Sequence, residues 1–201
     1  MKTFFNKKVE TAPARTIAKT IALAGSLSRI GTTTQCIQIV KYLKLMGYTV
    51  CYLEFNKSNY IEHLKETYEE YKEVEGKIIF EGVDLFTKEN AHKINELGYC
   101  YCVKDYGSAS NENFESLSFT EQNKRILLLG TKPDEMKYAE DILEKYHETD
   151  YIFSFVGVKD RDDILEQMLD KKNCTYFAEY TPDPYSYLST SNSTYRQMLN
   201  V

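Results

Sequence analysis

Residues 20–47, TIALAGSLSRIGTTTQCIQIVKYLKLMG, decide how this chain folds. A short apolar run, 20–24, gives way at Gly25 to a loop of Gly, Ser and Thr. That loop opens a helix, 33–46, whose apolar residues Ile37, Ile39, Val40, Leu43 and Leu45 cover a broad face. Gly47 is placed to cap its C-terminus. A strand turning through such a loop into a helix aims free backbone N–H groups and a helix N-terminus at one spot, a layout that suits an anion such as phosphate. The candidate phosphate-contacting residues are therefore Gly25, Ser26, Ser28, Arg29, Ile30, Gly31, Thr32, Thr33 and Thr34. The same composition also suits a plain N-capping turn, in which Ser or Thr satisfies the first N–H groups of the helix.

Outward from this segment, strands and helices alternate. Short apolar runs at 48–55, 99–103, 125–130, 151–156 and 175–179 read as strands, and 78–86 as a hairpin. Helical patterns fall at 59–74, 90–97, 133–146 and 160–169, with a short final helix in the tail from 180 to 201. Thr131 is placed to cap the helix that Pro133 begins. This alternation implies an α/β fold: a doubly wound, mostly parallel sheet with helices on both faces, in three layers. Residues 1–18 read as a polar arm and 19–201 as one α/β domain, a length that supports one well-filled core. In such folds ligands bind at the carboxyl ends of the strands, so 25–34, 54–57, 105–109 and 131–134 should gather on one edge.

Composition excludes some functions. Thirty Asp and Glu against 25 Lys and Arg leave a net charge of −5, which argues against non-specific binding to nucleic acid. No apolar run approaches the ~20 residues of a membrane span, and residues 1–19 hold no apolar core of signal-peptide length. The five cysteines, Cys36, Cys51, Cys100, Cys102 and Cys174, show no zinc-type spacing and read as reduced thiols, so the expected location is the cytoplasm. The three histidines sit in charged helical segments and read as solvated.

Three features in order carry a resemblance: the GSLSRIGTTT loop between strand and helix, an acidic residue (Glu54) closing the second strand, and an apolar strand (YCYCV) leading to Asp105-Tyr106-Gly107. Together they resemble the ParA/MinD family of P-loop ATPases, whose deviant phosphate loop reads KGGxGK[ST]T. Matched position by position, Leu27 falls on the signature lysine, Ser28 and Arg29 on two glycines, and Thr32 on the phosphate-binding lysine. Ile30, Gly31, Thr33 and Thr34 match. The resemblance implies a P-loop NTPase-like fold that binds ATP or ADP with Mg. It places Thr33 and Asp105 on the magnesium side, and leaves Glu54 and Asp105 as candidates for catalysis. It also implies a homodimer or a protein partner, and sets the 180–185 segment (YTPDPY) near the adenine.

The loop lacks both lysines. A P-loop lysine offsets charge on the β- and γ-phosphates, and losing an electrostatic stabiliser of this kind costs roughly 10²–10³-fold in rate. The residues thus point to a regulatory or partner-binding pseudo-ATPase with weak or lost hydrolysis. A second reading is an active ATPase of the same family, in partitioning, positioning or mobile-element transfer, using Arg29 or a remote lysine, Lys19 or Lys57. A third is a flavodoxin-like FMN protein, whose phosphate loop needs no lysine. The blander assignments are an Asx turn for Asp105, a solvent-edge carboxylate for Glu54 and packing roles for the tail tyrosines.

Overall fold

The structure, a computed structural model, describes residues 18–147 and 150–201. The expected arm, residues 1–18, lies outside the described residues except for Ala18, which is buried. Nine strands form one sheet: β1 (Lys19–Gly25), β2 (Val50–Glu54), β3 (Lys72–Val74), β4 (Lys77–Phe80), β5 (Val83–Thr87), β6 (Tyr101–Ser108), β7 (Lys124–Leu129), β8 (Tyr151–Val156) and β9 (Thr175–Ala178). Their order is β3-β4-β5-β2-β6-β1-β7-β8-β9, and every pairing from β5 to β9 is parallel. The fold class is the expected one, a mostly parallel α/β sheet with helices on both faces.

Alternation along each strand explains the three layers. In β1, Ile21 and Leu23 face one side with α1 (Thr32–Leu45), while Ala22 and Ala24 face the other. The first side is closed by α1, α2 (Tyr60–Thr67) and α7 (Asn192–Leu199), through Ile37, Leu64 and Met198 among others. The second is closed by α3 (His92–Glu96), α4 (Ser116–Thr120), α5 (Pro133–Lys145) and α6 (Arg161–Gln167). Burying each of the large apolar side chains contributes about 1.5–3 kcal/mol, which is why α1, with its fully buried Ile37, Ile39, Val40 and Leu43, packs hardest.

Two departures from expectation have local causes. The helix expected over 59–74 stops at Thr67, and residues 72–74 form β3 instead. Glu75 and Gly76 take positive φ (54° and 78°), and so do Glu81 and Gly82 (46° and 73°). Each pair is a two-residue hairpin loop, between Val74 and Lys77 and between Phe80 and Val83. Such loops match the twist of the strands they join, and the first of them outcompetes helix propensity over 68–74. The second departure is at the cap of α5, where Lys132 rather than Thr131 holds the N-cap position and Glu135 reaches back to its N–H at 3.2 Å.

The order also bears on the flavin reading. A flavodoxin sheet runs 2-1-3-4-5, with the first two strands adjacent. Here β6 lies between β1 and β2, so the flavodoxin-like reading is withdrawn.

Candidate functional site

Parallel strands bring the loops after β1, β2 and β6 to one edge, where they enclose an open cleft of about 550 Å³. The phosphate-loop residues Ser28, Arg29, Gly31, Thr32, Thr33 and Thr34 form one wall. Residues 55–58 after β2 and 106–108 of β6 form the facing wall, and the 111–115 segment closes the far side. The fourth expected group, 131–134, follows β7 at the same edge but is occupied in starting α5.

The loop is built for close approach. A side chain on Gly25 would collide with Ile30 Cγ2 and lie 2.6 Å from Thr32 Oγ1, so only glycine fits there. Arg29 (φ 66°) and Gly31 (φ 100°) take left-handed backbone, which rolls the chain into a concave turn ahead of α1. Gly31 holds the N-cap position of α1 and no side chain caps that helix. The plain capping-turn reading needs a Ser or Thr hydroxyl on those N–H groups, and it is not realised. The Ser26 hydroxyl, fully buried beneath the loop, has no partner among the described residues. An uncapped helix start under a glycine-bounded turn fits a phosphate group.

Below the loop lies Asp105, 0% exposed. Its Oδ2 accepts the Thr33 hydroxyl at 2.6 Å and the Tyr52 hydroxyl at 2.9 Å, and its Oδ1 accepts the Gly107 N–H at 2.8 Å. Burial pushes the Asp105 carboxyl above the ordinary carboxylate range, against these three donors, which pull it down. Asp105 was expected just beyond its strand. It instead sits within β6, in register with both Leu23 and Glu54, because β6 runs on to Ser108. The Tyr52 phenol is held well above its usual range, first by burial and then by the Asp105 charge.

Glu54 is 6% exposed, not a solvent-edge group. Its Oε1 accepts the Ser58 hydroxyl at 2.8 Å and the Tyr60 N–H at 2.5 Å, and its Oε2 accepts the Ile61 N–H at 3.2 Å. Glu54 therefore satisfies the free N-terminal amides of α2 from the end of the neighbouring strand. Asn56 Nδ2 donates to the Asp105 carbonyl at 3.0 Å, which ties the β2–α2 turn to β6. Of the two remote lysines, Lys57 lines the cleft, whereas Lys19 begins β1 at the opposite end of the sheet.

Asn111, Asn113 and Phe114 line the cleft without a signal in the sequence, and so does Tyr52, which reaches Asp105 from beneath; Phe55, Asn56 and Tyr106 fall within the segments expected at this edge. His63, read as solvated, lines the cleft as well. The 180–185 segment follows β9 to this edge and then crosses α1, where Gln38 Nε2 donates to the Pro184 carbonyl (2.8 Å) and Lys41 Nζ to the Tyr185 carbonyl (2.5 Å). Among the described residues no group of three or more His, Cys, Asp or Glu gathers to hold a metal.

No protein-family model matches the chain, and no curated protein does. Solved structures do. The MinD cell division protein of Aquifex aeolicus aligns over 90% of this chain and 87% of its own, with TM-score 0.60 and 12% identity. A putative plasmid partition protein of Borrelia burgdorferi B31, solved bound to AMPPNP, aligns over 92% and 98%, with TM-score 0.57 and 14% identity. The MinC:MinD cell division protein complex of A. aeolicus gives TM-score 0.55 over 82% of each chain at 15% identity. At such identities the likeness is one of architecture: the chain has the ParA/MinD-like P-loop NTPase fold.

Proposed function

We propose that this protein is a ParA/MinD-like pseudo-ATPase: a regulatory or partner-binding module that holds ATP or ADP at the cleft and hydrolyses it weakly or not at all. The observation that carries this reading is the Thr33–Asp105 pair, 2.6 Å apart beneath a glycine-bounded loop that contains no lysine. The loop would supply the anion-binding half of a P-loop without, in the loop itself, the charge-offsetting lysine. The loop amides of 28–34 and the Thr32, Thr33 and Thr34 hydroxyls would hold the phosphates. Thr33 and Asp105 would stand on the magnesium side. Mg²⁺ keeps most of its own waters and takes one or two protein oxygens beside phosphate, so one carboxylate is enough. When bound, the ion supplies charge neutralisation to the β- and γ-phosphates.

The carboxylates support binding without turnover. A general base must face the attacking water. Among the described residues lining the cleft the carboxylate is Glu115, which is paired with Lys88, whereas Glu54 and Asp105 are buried behind its walls. The AMPPNP in the Borrelia protein and the MinC partner of the Aquifex protein support nucleotide and a protein partner, or a second copy, as the ligands to test.

The test is calorimetric titration of the full chain with ATP and ADP in Mg²⁺, with Thr32→Lys beside it. Micromolar binding by the native chain, with turnover appearing only in Thr32→Lys, is the expected result. Absence of binding in both proteins sinks the nucleotide reading, and turnover by the native chain sinks the pseudo-ATPase reading.

A further inference from the structure

We infer that Lys57 supplies the cation the phosphate loop lacks, reaching the terminal phosphates of the nucleotide from the turn after β2. This assignment rests on the nucleotide reading above and names the group that gives the site its preference for a polyphosphate.

The turn that carries Lys57 is fixed on both sides of it. The Phe55 N–H donates to the Asp105 carbonyl at 2.9 Å, and Asn56 Nδ2 donates to the same oxygen at 3.0 Å. After Lys57, the Ser58 N–H donates to Asn56 Oδ1 at 2.8 Å and the Ser58 hydroxyl to Glu54 Oε1 at 2.8 Å. Gly107, at φ 71°, leaves the room in which Asn56 packs against β6. Everything around residue 57 is bolted to β2 and β6, and its own long side chain is left exposed on the cleft wall opposite the phosphate loop.

Charge singles the residue out further. Among the described residues, no carboxylate lies within ion-pair distance of the Lys57 ammonium; its bond goes to a neutral amide, Asn113 Oδ1, at 3.1 Å. Asn113 is itself fixed by Asn111 Oδ1, which accepts its N–H at 2.9 Å. An ammonium whose acceptor is a neutral amide gives up no carboxylate when a phosphate oxygen takes that place. Two further ammonium groups stand near this wall: Lys88 is committed to Glu115 and the Phe55 ring, and Lys104 lies over the same ring at 5.4 Å. Arg29 also lines the cleft, but it belongs to the loop itself, at a left-handed position (φ 66°), and not to the wall that faces it.

The experiment titrates the full chain with ATPγS, ADP and inorganic tripolyphosphate in Mg²⁺. It compares the native protein with Lys57→Met, Lys57→Arg and, as a control on α5 outside the cleft, Lys137→Met. Lys57→Met should weaken ATPγS and tripolyphosphate roughly 10- to 100-fold, the loss of one charge-assisted contact. ADP should weaken less. Lys57→Arg should recover most of the loss, and Lys137→Met should match the native chain. Thermal melts of all four proteins report the fold, and an unfolded Lys57→Met would overturn a role confined to the ligand. Native binding with unchanged affinities in Lys57→Met overturns the Lys57 assignment alone. Failure of the native chain to bind any of the three probes overturns both this assignment and the nucleotide reading.

Discussion

Replacing Asp105 by Asn should leave the protein as stable at neutral pH or make it more so, while abolishing Mg²⁺-dependent nucleotide binding. The carboxylate accepts three hydrogen bonds at 2.6–2.9 Å in a site closed to solvent. An amide can keep all three: Oδ1 still accepts from Gly107, and the NH₂ group donates to the Thr33 and Tyr52 hydroxyls, which turn to accept. The lost charge assistance costs about 1 kcal/mol per bond, or roughly 3 kcal/mol in all. Against that stands the desolvation of a buried ion, several kcal/mol after relaxation. The raised Asp105 pKa says that burial outweighs the bonds. Asp105→Asn at pH 7 should therefore be neutral to stabilising. The sign with pH follows by linkage: a raised carboxyl contributes stability that is full below its unfolded value, near 4, and is lost as pH rises through its folded value. The native chain should thus match or exceed Asp105→Asn near pH 4 and fall behind it toward pH 7. Urea denaturation of both proteins at the two pH values, with unchanged m-values, measures this. A variant less stable than the native chain by 2 kcal/mol or more at pH 7 would refute the reasoning and make Asp105 a structural anchor.

Glu54→Ala should cost about 3–5 kcal/mol, since it strands the Tyr60 and Ile61 amides and the Ser58 hydroxyl; hydrogen exchange should show α2 fraying before the sheet does. Gly25→Ala should destabilise by about 1–3 kcal/mol and abolish nucleotide binding, because the new methyl displaces Ile30 and Thr32; a melt and a titration check both. Gln38→Leu removes bonds to the Pro184 and Ser186 carbonyls and the Leu188 amide, so it should cost about 2–4 kcal/mol and make the 184–188 segment the first site of limited proteolysis.

The sheet was legible because each central strand is a short apolar run between loops, and the runs 20–24, 125–130 and 151–156 fall on β1, β7 and β8 to within a residue at either end. The hairpin at 78–86 was legible from the same cue, while its companion at 72–79 was not. The Glu75-Gly76 turn that makes it lies inside a run of helix-forming charges, and positive φ at a glutamate leaves little mark in composition. At the site, the loop and Asp105 could be read from their order along the chain, because a P-loop brings those positions together by topology. Tyr52 and Asn113 could not: a buried phenol on a carboxylate and an amide under a lysine depend on side-chain reach across 53 and 56 positions. Glu54 was visible as a residue but not as a cap. Its partners lie on the next helix, and the distance to them is set by the turn between.

The helix that begins at the phosphate loop also carries Gln35 and Gln38, both buried, and their partners lie 144 to 160 residues later in the chain. During synthesis α1 leaves the ribosome well before residues 179–195, so those amides have nothing native to bind until β9 and α7 have followed. Until then α1 carries two polar side chains where its packed state demands satisfied ones. A nascent chain stalled before residue 179 should therefore hold α1 loosely, and with it the anion-binding turn at its head. The ability to bind ligand would then require the residues after β9 to have been made, and would not belong to the segment that encodes the loop alone.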